Sequence, residues 1–384
     1  MPDNSYSVQY FTDFSQLPAR YASLIGVCEQ AGLFWDAEWF ALLMRHVFDD
    51  SDQFRIYSVE ESAGGRPLLL APLRCSTSDG AVSGGRVLGS VNYPENYAET
   101  ALMFAPSVED KTAVLTALFH HLKKGDAAAD PPCDALRLWP VEERSELQQL
   151  VGTALNRAGF IVQAYENSYN RFEATAGIDY PTYFAQRSAN LRYSVRRRQR
   201  ALEKSGTLDL VLYTDEDDLE AALEDYVRVS LASWKSPPTM IGSLVLDLIR
   251  LAAKRGCLRL GILRLDGKAA AVQFWIVSKG TAHCARLAYD EAYKQLAVGV
   301  VLTNFMIAHV LDQDHVDKID FGYGTEDYKG GWMQEARNYF GFMAFNPSTR
   351  LGLLHGSKHI LGQPVKRAIK NTAKRAARLL RRIR

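Results

Sequence analysis

One order of segments occurs twice in this chain of 384 residues, and it limits the fold more than any other feature. In the first passage Phe54–Val59 reads as a strand, Glu60–Arg66 with its Gly64-Gly65 pair as a turn, and Pro67–Cys75 as the return strand. A loop rich in Asn, Tyr and Pro (Val91–Glu99) leads to a helix-like segment, Val108–Lys124, and then to a short apolar run, Asp134–Trp139, with the look of a buried strand. In the second passage Leu258–Leu265 is strand-like, Asp266-Gly267 makes a hairpin turn and Lys268–Val277 returns. Thr281–Tyr289 adds a strand, Val298–Asp312 a helix, and Val316–Phe321 a buried strand. The repeat predicts two mixed α/β units in tandem, and the length suits two domains of about 150–200 residues. No glycine fingerprint follows an early strand, so this is not a GxGxxG nucleotide fold.

Helices fill the space between the passages. Tyr180–Gln186 starts after Gly177, and Asn190–Lys204 runs to Gly206. Asp215–Trp234 opens on an Asp-Glu-Asp-Asp run that suits the positive end of a helix dipole. Ser243–Arg255 starts on a serine cap after Gly242 and stops at Gly256. No low-complexity linker separates the halves, so they are expected to pack closely.

Hydrophobic residues form 47% of the chain and charged ones 23%, enough apolar surface for a real core. No apolar stretch reaches the roughly 18 residues of a membrane span, and residues 1–20 lack the pattern of a secretion signal. The expectation is a cytoplasmic protein. Cys28, Cys75, Cys133, Cys257 and Cys284 are odd in number and far apart, which fits reduced thiols better than a disulfide framework or a zinc cluster. His120-His121, His309, His315, His355 and His359 show no metal-ligand spacing, so no metal is expected. His283, on the third strand of the second passage, reads as a structural histidine or as a base.

The net charge of +1 conceals an asymmetry. From Lys366 onward the chain carries nine basic residues and no acid, which leaves 36 basic residues against 44 acidic ones elsewhere. Val365, Ile369, Ala373, Ala376, Leu380 and Ile383 recur at gaps of three or four among these basic residues. That is the pattern of a basic amphipathic helix able to rest on an anionic membrane or hold RNA; a cationic tail without that role has the same composition.

Three segments carry groups suited to chemistry. On the helix Asn190–Lys204, Arg192, Arg196 and Arg200 stand one turn apart and could grip phosphate; they also suit a solvated face. Asp320–Lys329, followed by Gly330, Gly331 and Trp332, leads a buried strand into a glycine-relaxed loop. There Glu326 or Asp327 could accept a proton, Tyr328 donate one and Lys329 neutralise an anion, although a polar surface turn would have the same composition. Gly299, at the start of the helix Val298–Asp312, would let backbone N–H groups approach an anion.

Asn190–Lys204, Trp234-Lys235, Asp266–Phe274, Ala297–Val300 and Asp320–Trp332 stand in an order that resembles the CelD-like branch of the GNAT acyltransferases, a branch related to the Fem-type aminoacyl-tRNA-dependent transferases. The resemblance covers most of residues 170–350 and is strongest over Asp-Phe-Gly-x-Gly-x-x-x-Tyr-Lys at Asp320–Lys329. Phe34–Trp39 and Leu70-Ala-Pro-Leu73 look like the opening of that family's N-terminal unit. The resemblance implies tandem GNAT-like α/β (α+β) domains, each a mixed central sheet flanked by helices. They would cover residues 1–170 and 171–350, with a basic C-terminal helix at 351–384. It also implies acetyl-CoA or another acyl-CoA as co-substrate, wedged beside Leu287, Ala288 and Tyr289. The diphosphate would lie on Gln295, Ala297, Val298, Gly299 and Val300. The family cradle is Arg/Gln-x-x-Gly-x-Gly/Ala, and Gln295–Val300 departs from it with one glycine at shifted spacing.

Arg192, Arg196, Trp234, Gln273 and Asp320 would contact the acceptor, while Glu326, Asp327, Tyr328 and Lys329 would carry the chemistry. The implied acceptor is an amine or hydroxyl on a small or saccharide-linked molecule, in polysaccharide or cell-envelope synthesis. The tail would meet the inner membrane surface as a peripheral contact. Two other expectations stand beside this one: a Fem-type transferase using aminoacyl-tRNA, and a non-catalytic scaffold.

Overall fold

The computed structural model describes residues 5–80, 82–92, 100–126, 130–234, 242–324 and 326–359. Its strands are β1 Tyr6–Phe11, β2 Gln53–Glu61, β3 Pro67–Ser76, β4 Val87–Ser90, β5 Met103–Phe104, β6 Ala135–Glu142, β7 Ile161–Ala174, β8 Leu208–Tyr213, β9 Leu258–Leu265, β10 Lys268–Ser278, β11 Thr281–Tyr289, β12 Lys318–Tyr323 and β13 Glu335–Phe345. The helices used below are α1 Ala22–Ala31, α2 Ala37–His46, α3 Lys111–Lys124, α4 Glu146–Arg157, α5 Tyr180–Gln186, α6 Ala189–Ser205, α7 Leu219–Leu231, α8 Ser243–Lys254, α9 Val298–Asp312 and α10 Asp327–Trp332.

All the strands belong to one sheet, in the order β1-β2-β3-β4-β6-β13-β7-β12-β11-β10-β9-β8, with β5 paired to β3. Read from either end the order has the same logic. Each half begins with an antiparallel meander: β1 to β4, and β8 to β11. Each then crosses through a helix to a parallel neighbour, β4 to β6 and β11 to β12. At the centre the halves trade strands. β13, from the end of the second half, lies between β6 and β7, and β7 lies between β13 and β12. The mixed α/β tandem expected from the repeat is present, and the units share their central strands. The position 170/171, at which the two domains were expected to divide, falls inside β7.

Helices α3 and α4 cover one face of the first unit, where Leu115, Leu118 and Phe119 pack with Leu69, Leu136 and Leu155. On the second unit α5, α6 and α9 do the same, with Leu302, Met306 and Val310 over Leu263, Trp275 and Ile319. One further cluster spans both units: Trp39, Phe40 and Leu43 of α2 share it with Leu248 and Ile249 of α8 and with Leu260 and Phe274. Each fully buried side chain of this type contributes about 1.5–3 kcal/mol, so the units stabilise each other. His46 to Asp247 at 2.8 Å and Lys254 to Glu38 at 2.8 Å edge the same contact.

Local details differ from expectation in two places. The acidic run at 215–218 lies ahead of α7, which starts at Leu219 behind an uncapped Asp218. Ser243 does not cap α8: Gly242 holds that position, and the Ser243 hydroxyl bonds His46 Nδ1 at 2.9 Å. Residues 350–359 are helical, while the basic tail from 360 onward lies outside the described residues. Among the described residues no helix is long and apolar enough to cross a membrane.

Candidate functional site

The site begins with a ladder that stops early. β11 and β12 pair in parallel only at Thr281↔Lys318, Ala282↔Ile319 and His283↔Asp320. Beyond His283, β11 stays with β10 to Tyr289, whereas β12 pairs Tyr323 with Asn170 of β7. The two strands part, and the edge of Cys284–Tyr289 facing β12 leaves the ladder. β11 is also bulged there: Phe274 pairs with Arg286 and Trp275 with Cys284, which leaves Ala285 as the extra residue. A bulge re-aims backbone groups, and here it does so inside the divergence.

The start of α9 closes one end of this opening. Its N-cap, Ala297, lies in the left-handed region (φ 53°), and no side chain caps the helix. The Val300 N–H turns back to the Ala297 carbonyl at 3.0 Å, and the helix start before it offers donors and positive potential to an anion. A Cβ on Gly299 would lie 3.5 Å from the Tyr289 ring, which sets the helix entrance against the end of β11. Gln273 fixes the entrance from below, donating to Thr303 Oγ1 at 2.7 Å and to the Gly299 carbonyl at 3.3 Å while accepting from Trp275 Nε1 at 2.9 Å. Gln295 is exposed in the turn Glu291–Leu296, and Val298 is buried. These residues fit a diphosphate: a bare helix entrance, a left-handed residue shaping it and an anchored first turn.

The other wall is the loop into α10. Glu326 precedes the helix and Asp327 begins it. Lys329 is buried, its Nζ donating to the Tyr323 carbonyl at 2.6 Å and pairing with Glu326 Oε2 at 3.0 Å. The helix end is held where the Trp332 carbonyl accepts from the Tyr183 hydroxyl at 2.6 Å and from Arg187. Tyr328 keeps two-fifths of its surface exposed. Burial, and then the nearby Cys284 and Glu326, raise its phenol pKa above the usual range, so it holds its proton.

Asp320 is buried beside this wall, accepting from the Gly322 N–H at 2.7 Å and from Arg337 of β13. Arg337 also reaches Glu142 of β6 at 2.8 Å, so one guanidinium links β12 of the second unit to β6 of the first. Burial lowers the His283 pKa to about 4 against the pull of Asp320, leaving the ring neutral at ordinary pH. Glu166, Ser168, Tyr169, Tyr323, Gly324 and Glu326 line a groove of about 620 Å³ along the line where the units meet.

The structure thus gathers Leu287, Ala288, Tyr289, Ala297, Val298, Gly299 and Gln273 about the end of β11 and the start of α9, with Asp320 and the Glu326–Lys329 turn on the β12 side; of these Gln273, Ala288, Val298, Asp320 and Lys329 are buried. The arginine helix α6 packs against α9 and the Glu291–Leu296 turn. Arg196 is exposed on it with its guanidinium 5.7 Å from the Phe184 ring centre, while Arg192 is partly buried. Trp234 lies beyond α7 with two-thirds of its surface exposed, and Lys235 is outside the described residues. Arg337 and Glu142 escaped the sequence reading. Their only signal is a charged residue in each of two strands distant in sequence.

Residues 189–330 match the model of an acetyltransferase (GNAT) domain. Among solved structures, the chain is similar to FemX, with 10% identity over 80% of this chain and 95% of that one and a TM-score of 0.49. It is also similar to a tandem GNAT protein from the clavulanic acid biosynthesis pathway (12%, 89% and 100%, TM-score 0.46) and to L-PGS from Bacillus licheniformis (10%, 83% and 94%, TM-score 0.46). A search of curated protein sequences finds no match. The matched segment holds the parted strands, the bare helix entrance and the Tyr328 turn; it is similar to an acetyltransferase (GNAT) domain, and the chain is a transferase.

Proposed function

We propose that the second unit binds an acyl-CoA between β11 and β12 and transfers its acyl group to an amine or hydroxyl of a small or saccharide-linked acceptor. The observation that carries this reading is the three-pair ladder that parts directly beneath an uncapped helix entrance. The diphosphate would sit on the first-turn N–H groups of α9, and the exposed arginines of α6 would serve the phosphates beyond it. The acyl carbonyl would meet backbone donors at the Ala285 bulge, where oxyanion stabilisation is most effective. Attack forms the new acyl bond to N or O, and the C–S bond breaks. Tyr328, still protonated, supplies a proton to the departing thiolate. Glu326 or Asp327 takes the nucleophile's proton, and Lys329 holds the turn in shape through Tyr323 and Glu326. Within the GNAT proteins we place the chain in the CelD-like branch, on the Asp320–Lys329 motif.

Acetyl-CoA at one hundred times its Kd should stabilise the protein by about 2.7 kcal/mol, which a thermal-shift titration would register. Native mass spectrometry should show a retained CoA species and give its acyl mass. No shift with acetyl-CoA or a longer acyl-CoA would remove the donor. For the basic tail we propose a peripheral contact with anionic membrane. Sedimentation with phosphatidylglycerol vesicles should weaken sharply for a chain ending at Gln363, and equal sedimentation would end that proposal.

A further inference from the structure

Three side chains form a hydrogen-bonded chain across the seam between α2 and α8. The Ser243 hydroxyl lies 2.9 Å from Nδ1 of His46, the last residue of α2, and His46 Nε2 lies 2.8 Å from Asp247 Oδ2. An ionised carboxylate can only accept, so Nε2 carries the hydrogen and Nδ1 of the neutral ring accepts from the serine. Asp247 is itself held: its Oδ1 accepts from Arg250 Nη1 at 3.4 Å, and Arg45 lies 3.7 Å from Oδ2. Ser243 is exposed, while the His46 side chain keeps 13% of its surface open. The serine also stands at a helix entrance that no side chain caps. Val245 and Leu246 donate to the Gly242 carbonyl at 2.8 and 3.4 Å, which leaves the N–H groups of Ser243 and Leu244 ahead of the helical ladder.

We infer that Ser243, His46 and Asp247 form a separate reactive centre, which cleaves small carboxylic esters through an acyl-serine. A nucleophile bonded to a base, and the base bonded to an orienting carboxylate, is the arrangement that makes a serine hydroxyl reactive. Asp247 alone would suffice to hold the ring against α8; the other nitrogen, directed at an exposed hydroxyl, makes the ring a base. As Oγ bonds to the ester carbonyl carbon, His46 Nδ1 takes the hydroxyl proton. The resulting oxyanion meets the Ser243 and Leu244 N–H groups and the positive potential of the helix start. The carbon–oxygen bond to the alcohol then breaks, and the alcohol leaves with the proton from His46. Water attacks the acyl-serine, giving a proton to the same nitrogen, and the acid departs as Oγ regains that proton. A nucleophile on the surface holds its substrate by little more than the acyl group, so an ester, whose alcohol leaves more readily than an amine, is the class it can cleave. Ser243 and His46 are the catalytic residues and Asp247 a positioning residue. No acyl-CoA takes part, so this centre stands apart from the acyl transfer proposed above.

The test is labelling of the full chain with a biotinylated fluorophosphonate, followed by peptide mass mapping. Ser205, exposed at the end of α6, serves as the internal standard. Ser243 should displace fluoride and take up the phosphonate about 10²-fold faster than Ser205 or more, the share a general base supplies. The wild type should hydrolyse p-nitrophenyl acetate, and Ser243→Ala should lose that hydrolysis. His46→Gln should slow the labelling of Ser243 by about 10²-fold or more and abolish its rise with pH, which a merely structural ring would not change. Asp247→Asn, which leaves the ring in the wrong tautomer, should slow it likewise. If His46→Gln does not fold, the comparison of the two serines and the pH dependence in the wild type decide. Ser243 labelled no faster than Ser205, or as fast in His46→Gln as in the wild type, would overturn the inference. So would a wild type that leaves p-nitrophenyl acetate intact, or hydrolysis that survives in Ser243→Ala.

Discussion

The two units have the same strand order, but they treat the same two places in opposite ways. In the first unit the parallel pair β4–β6 also stops after three registered positions, Val87↔Ala135, Leu88↔Leu136 and Gly89↔Arg137. There the opening is sewn shut. The Ser90 hydroxyl accepts from the Trp139 N–H at 3.1 Å and bonds Thr100 Oγ1 at 3.1 Å, and the Thr100 N–H reaches the Pro140 carbonyl at 2.8 Å. The helix entrance is closed as well: Asp110 caps α3, accepting from the Ala113 N–H at 2.9 Å. A carboxylate already occupies the place an anion would take. The second unit leaves its helix bare and shapes the entrance with a left-handed alanine, a conformation that costs roughly 1–2 kcal/mol. Topology is therefore common to both units, and what separates them is whether a side chain already fills the helix entrance.

The largest test of this contrast is the proton donor. Tyr328→Phe should lower kcat by about 10²-fold or more with little change in melting temperature, since general acid catalysis contributes about 10²–10⁴. An unchanged kcat would remove Tyr328 from the chemistry. Next comes acid sensitivity in the second unit. His283 has a folded pKa of about 4, depressed mainly by burial, against 6.5 for the exposed side chain. Between those values the unfolded chain binds the extra proton, so stability is full above about pH 6.5 and falls as pH drops. The expected loss is about 2 kcal/mol between pH 7.5 and pH 5. Urea melts of His283→Leu should lack that part of the slope, and an unaltered slope would assign it to other groups.

The remaining two tests exchange the caps. Ala297→Asp gives the second unit the first unit's carboxylate, at a backbone conformation that Asp accepts more readily than Ala. Acetyl-CoA affinity should fall tenfold or more while the melting temperature holds or rises. An undiminished affinity would place the diphosphate elsewhere. The reverse change, Asp110→Ala, should cost about 1 kcal/mol of stability through loss of the cap and leave acetyl-CoA affinity alone.

How much could be read from residue order follows the same divide. Leu258–Leu265, Thr281–Tyr289 and Val298–Asp312 lie where their apolar patterns place them. The Asp320–Lys329 loop was legible as a concentration of proton-handling groups at a strand end. β7 and β13 left no such trace. Although central to the sheet they carry polar residues such as Glu166, Asn170, Arg337 and Asn338, since they border the junction groove and the charged link to Asp320. A central strand is usually recognised by continuous apolar character, and β7 and the first four residues of β13 lack it. The Glu142–Arg337 bond joins residues that no local pattern could associate, since trading strands brings them together only in the finished sheet.

That trade fixes the order of assembly. During synthesis β6 emerges early, but the neighbour it needs, β13, is delivered only after the whole second unit has been made. Until then the nascent first unit exposes an open hydrogen-bonding edge, the kind that recruits foreign strands. Neither unit can be cut away without taking a central strand from the other, so the two must persist, or be lost, as one molecule.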